Sequence, residues 1–183
     1  RTKSHCHAFC RRRKSHANTL WPLKKGVKFQ VAMTYDYEKD VKEACSMLSN
    51  LEGATIASIR VNVVDPEFNV VYLETDKGIY SLQGEVGGEY LGVHLLNELP
   101  EITNHDGYII CKYQPFNIFE GCVISQARQI GAAWQGHGFE FSFSEVPTKS
   151  MIVQSIYCGA KPEALEDCLR LGVGHYENEW VKT

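Results

Sequence analysis

Three short runs of alternating apolar and polar residues, joined by tight turns between positions 55 and 83, restrict the fold more than any other feature of the chain. In residues 55–63, Ala57, Ile59, Val61 and Val63 alternate with Ser58, Arg60 and Asn62, the period of a strand with one buried face. Asp65-Pro66-Glu67 leads into residues 70–75, and Asp76-Lys77-Gly78 into residues 79–83. Asp, Pro and Gly turns between β-branched runs join antiparallel neighbours, because Pro presets φ and Gly reaches positive φ without strain. A three-stranded meander is predicted, with Ala57, Ile59 and Val61 toward the core and Ser58, Arg60 and Asn62 outward or toward a partner.

Around the meander the pattern changes period. Thr34 or Asp36 caps a predicted helix striped by Tyr37, Val41, Ala44, Cys45 and Leu48 and stopped by Gly53. A glycine-rich loop over 84–88 precedes a short predicted helix over 89–99, ended by Pro100. Residues 108–113 read as a strand. Asn117 and Glu120 have capping-box spacing at the head of a further predicted helix, striped by Phe119, Val123, Ala127, Ile130 and Trp134 and closed by Gly136. Phe139, Phe141 and Phe143 alternate as a strand that pairs with residues 151–157. A last helix is predicted from Pro162, with Glu163 and Glu166 near its positive end and Gly172 past its finish. The order predicts an α+β domain: a mainly antiparallel sheet, the meander plus further strands, with helices packed on one face.

A length of 183 residues fits one domain. The net charge of −3 conceals a division. Residues 1–32 carry nine Lys and Arg and no acid, and residues 33–183 carry 10 basic against 22 acidic side chains, a net of −12. Residues 1–32 therefore read as a basic extension and 33–183 as a single acidic globular domain. The extension begins with Arg, and Met33 directly precedes the first helix, so a leader is favoured over a nucleic-acid arm or a small metal knuckle. No run approaches the roughly 20 apolar residues that span a bilayer. Seven cysteines without a CxxC spacing suit reduced thiols and a cytoplasmic location.

Four groups of residues carry candidate chemistry. Glu85, Glu89 and His94 offer oxygen and nitrogen ligands for a metal, although on a helix the five-residue step from Glu89 to His94 would rotate the ring off the shared face. His5, Cys6, Cys10 and His16 fall within loose zinc spacing in the extension, and no other cofactor is expected. Cys158 closes a strand before a helix N-terminus, which favours the thiolate, and His175 follows as a base for a nucleophilic pair. His137, at the expected end of a helix, should be exposed and easier to protonate.

Two classes of function follow. The first is a binding protein, inhibitor-like or adaptor-like, whose acidic body meets a basic protein partner through Asp65, Glu67, Glu74, Asp76, Glu85 and Glu89. Its charge disfavours direct nucleic-acid contact by residues 33–183, because phosphate binding needs Lys and Arg. The second is a small thiol- or metal-dependent enzyme using Cys158 and His175 or Glu85, Glu89 and His94. With no dense catalytic constellation in the sequence, binding is the leading expectation.

Overall fold

The computed structural model describes residues 37–64, 67–85, 87–101, 108–133, 135–156 and 168–175, all within the unit Tyr35–Thr183. It is an α+β fold of two antiparallel sheets and a helix. The helix α1 (Tyr37–Ser49) leads into β1 (Ile56–Val64), β2 (Glu67–Thr75), β3 (Gly78–Glu85), β4 (Tyr90–Leu96) and β5 (Tyr108–Lys112). A short 3-10 helix (Gln114–Phe119) then precedes β6 (Ile124–Ala132), β7 (Gln135–Phe143), β8 (Ser150–Ile156) and β9 (Cys168–Gly174). The first sheet has the order β4-β3-β2-β1-β5 and the second β6-β7-β8-β9.

The meander forms as expected, with Ile59 opposite Leu73 and Leu73 opposite Tyr80. The sheets meet face to face, β4 over β7, β3 over β8 and β2 over β9. Ile59, Val61, Val71, Leu73 and Leu82 face Phe139, Phe141, Phe143, Met151 and Val153 in one core. Phe119 stacks on Phe143 with ring centroids 4.4 Å apart. Ala44 and Leu48 bury one side of α1, which packs on β4 and reaches β6.

One corner joins the sheets. Gly53 N–H donates to Ile124 C=O at 2.8 Å and Ile124 N–H to Ala54 C=O at 2.9 Å, while Ile56 N–H donates to Cys122 C=O at 3.0 Å. Carboxylates satisfy backbone donors that no strand meets here. Thr55 N–H donates to Asp76 Oδ1 at 2.9 Å, Val123 N–H to Glu145 Oε2 at 2.9 Å, Ala127 N–H to Glu52 Oε1 at 3.1 Å and Ile59 N–H to Glu120 Oε1 at 3.3 Å.

Three expected helices are corrected. Residues 90–96 are strand β4, pairing with β3 from Glu85↔Tyr90 to Ile79↔Leu96. The helix expected from Asn117 is a 3-10 turn followed by β6, and the Glu120 side chain turns to β1 instead of capping its own segment. β6 is bulged near Gln126 and near Ala132, and each bulge adds a residue that resets the alternation. The bulge near Gln126 lets Ile124 and Ala127, three apart, both meet the core, while Ile130 is buried on the outer face beside Arg128, so the three together imitate a helix stripe. The last expected helix ends in strand β9, and its start lies outside the described residues.

The meander's faces are also corrected in part. A bulge between Ile56 and Ser58 turns Ala57 to solvent and buries Ile56 in its place. Ser58 and Asn62 lie on the outer face yet are 9% and 8% exposed. Ile59→Asp should therefore destabilise by about 3 kcal/mol or more, since it buries an unpaired charge, while Ala57→Asp should stay within about 1 kcal/mol. Urea midpoints of the two variants check the register, and equal shifts would contradict it.

Candidate functional site

Polar side chains gather on the outer faces of both sheets. On the five-stranded sheet the register sets Lys112, Arg60, Tyr72, Ser81 and His94 in one row across five strands. Each basic member is held by a carboxylate: Lys112 Nζ by Glu120 at 2.9 Å, Arg60 Nε by Glu74 at 2.8 Å and His94 Nε2 by Glu85 at 2.8 Å. Gln83 Nε2 also donates to Glu85 Oε1 at 2.9 Å. The hydrogen bond from His94 holds the Glu85 carboxyl below its usual value against the effect of burial, and the same bond raises His94.

The floor beneath this pair is Gly92. A Cβ there would lie 2.8 Å from Glu85 Cγ and 3.0 Å from His94 Nε2, so the bare backbone lets the two side chains meet. Of the expected metal ligands, Glu85 and His94 come together and Glu89 does not. Glu89 lies in the turn before β4, where it is 9% exposed and burial pushes its carboxyl up. Among the described residues no group of three His, Cys, Asp or Glu side chains is placed to hold a metal. His5, Cys6, Cys10 and His16 lie outside the described residues.

The four-stranded sheet carries a second cluster that the sequence reading missed. Glu140, 2% exposed, accepts from Arg128 Nε at 2.8 Å and from Arg128 Nη2. His175 Nδ1 lies 3.5 Å from Glu140 Oε1 and 3.3 Å from Ser150 Oγ, and Ser150 Oγ lies 3.4 Å from Ser142 Oγ. This is not a nucleophile site. One ring nitrogen serves both the acid and the hydroxyl, and Ser150 has no exposed surface for a substrate to reach. The available signal was the pairing of Arg128 with a lone glutamate inside Phe139-x-Phe141-x-Phe143. His175 thus has a carboxylate beside it, while Cys158, its expected partner, lies outside the described residues.

Of the six acidic residues expected to dock a partner, Glu74 and Glu85 share the outer face of the five-stranded sheet. Asp76 is exposed in the β2–β3 turn with one oxygen committed to Thr55. Asp65 and the Glu67 side chain lie outside the described residues. His137 corrects another expectation. It ends no helix, has no exposed surface, and burial pushes its pKa down to about 4. Its Nδ1 accepts from Leu91 N–H at 2.9 Å. Comparison of the chain with protein-family models, with curated proteins and with solved structures finds no match.

Two measurements follow. The raised His94 and lowered Glu85 act over a defined range: their pairing contributes fully between Glu85's ordinary 4.5 and His94's ordinary 6.5. It is lost as pH rises through the raised His94 value and as pH falls through the lowered Glu85 value. NMR titration should show His94 moving back toward 6.5 in Glu85→Gln and in Gly92→Ala; an unmoved His94 would contradict the pairing. Alkylation should label exposed Cys111 first, then half-buried Cys45, then buried Cys122, since burial also raises the latter two thiols. Cys158 must outpace Cys111 for thiol catalysis to stand.

Proposed function

We propose that this chain is a protein-binding domain, inhibitor-like or adaptor-like, that docks a basic partner on the outer face of its five-stranded sheet. The observation that carries this reading is the pair of partly exposed carboxylates, Glu74 and Glu85, on that outer face. Each carboxylate is fixed by one base, yet a carboxylate has about four acceptor positions, so it still has capacity for an incoming Arg or Lys. The surplus of acid over residues 33–183 would draw a basic partner in from a distance.

A Lys/Arg-rich peptide is a suitable probe. At low salt it should shift the NMR signals of Tyr72, Glu74 and Glu85. Glu74→Gln combined with Glu85→Gln should weaken binding about tenfold, consistent with loss of two charge-assisted bonds. Melting temperature should barely change, because both ion pairs are partly exposed. Shifts confined to α1, or an affinity indifferent to the double substitution, would refute this docking face.

A further inference from the structure

β4 borders its sheet, so one side of its backbone has no neighbouring strand. Leu91 N–H turns instead to the opposite sheet and donates to His137 Nδ1 on β7 at 2.9 Å. The imidazole is sealed in. Tyr90 and Phe139 meet it edge-on, with ring centroids 6.3 and 5.4 Å away. A nitrogen that accepts a hydrogen bond carries no proton, so the neutral ring holds its proton on Nε2, which has no partner among the described residues. That tautomer leaves neither nitrogen free to ligate a metal. Protonating the ring would place a second N–H on Nδ1, facing the N–H of Leu91, and the bond could not persist.

We propose that the Leu91–His137 bond is an acid-sensitive latch between the two sheets, whose release lets β4, still packed against α1, part from β7 while the rest of the sandwich stays closed. In the open state the ring meets water and regains an ordinary value near 6.5; in the closed state burial holds it at about 4. The value is lower when closed, so the latch is at full strength above pH 6.5 and weakens as pH falls toward 4. Within that window each pH unit multiplies the open-to-closed ratio about tenfold, up to about 300-fold in all.

The groups around the ring set what else titrates. From the β4 side these are Glu89 and Tyr90, and acid leaves a phenol neutral. β3 presents Leu82 and Gly84, and β8 presents Val153 and Ser155, none of which carries charge. Glu85 and His94 lie on the far face of one sheet and Glu140 on the far face of the other. Glu89 works against the latch's release: burial favours its neutral form, so falling pH stabilises the closed state through this group. The domain is thereby given a pH-gated contact between its sheets with a built-in counterweight.

Hydrogen exchange of the Leu91 amide in the full chain, corrected for the intrinsic pH dependence of exchange, reads the latch directly. In Glu89→Gln, which removes the counterweight, opening should rise about tenfold per pH unit from 6.5 toward 4. His137→Asn keeps an acceptor near the Nδ1 position and cannot titrate, so when it is added to Glu89→Gln the Leu91 protection should not depend on pH. Flat protection in Glu89→Gln, or an equal rise in the double variant, would overturn the latch. If His137→Asn does not fold, NMR of the wild-type ring decides. A neutral Nε2–H tautomer persisting below pH 5 supports the proposal, and an Nδ1–H tautomer or a ring charged at pH 6 refutes it.

Discussion

The architecture hangs on the corner where residues 53–56 pair with residues 121–124. There β1 emerges from one sheet beside the start of β6 in the other, and a ladder of backbone hydrogen bonds holds the two together. Strands at such a corner cannot satisfy all their donors through neighbours, and a buried N–H without an acceptor is costly. Asp76, Glu145, Glu52 and Glu120 supply the acceptors. With the corner fixed, the phenylalanines of β7 lie over β1–β4, and the core follows from that placement.

These carboxylates also change the meaning of the acidic composition. A surplus of acid usually speaks of solubility or long-range attraction and not of fold. In this domain much of it has local work. Four carboxylates end ladders at the corner, one of them, Glu120, also holding Lys112; Glu74 and Glu85 neutralise the other bases of the outer row, and Glu140 lies beneath Arg128. The charge count therefore overstates the acid available to a partner.

The meander was legible because its alternation, turns and β-branched residues all agree, as was the first helix. The Phe139-x-Phe141-x-Phe143 strand was legible for the same reason. β6 was not, since the bulge near Gln126 and the burial of Ile130 on the outer face spaced its buried residues like a helix stripe, and single-sequence periodicity cannot separate the two. β4 failed differently: Tyr90, Leu91, Gly92 and Val93 are all buried, which removes the alternation that marks a strand. The site readings inherited these errors. Glu85 with His94 was chosen for the right residue types, but their contact is across strands and over a glycine, a proximity no helical spacing encodes. His137 was misplaced because Gly136 and Gly138 beside it resemble a helix stop. Glu140 was hidden as one polar residue among outward-facing ones.

The bulges of β6 have a further result. β6 borders the four-stranded sheet, where an exposed row of backbone groups is a template for unwanted strand addition. Its bulges near Gln126 and Ala132 break the even spacing that a foreign strand would need, and the Arg128 side chain between them keeps a charge at the border. β5, at the border of the other sheet, shows no register shift along its pairing with β1, and Ile109 is 56% exposed upon it. The two margins are therefore unequal in colloidal terms. If this protein self-associates when concentrated or partly unfolded, polymer growth begins at Tyr108–Lys112 and not at Ile124–Ala132.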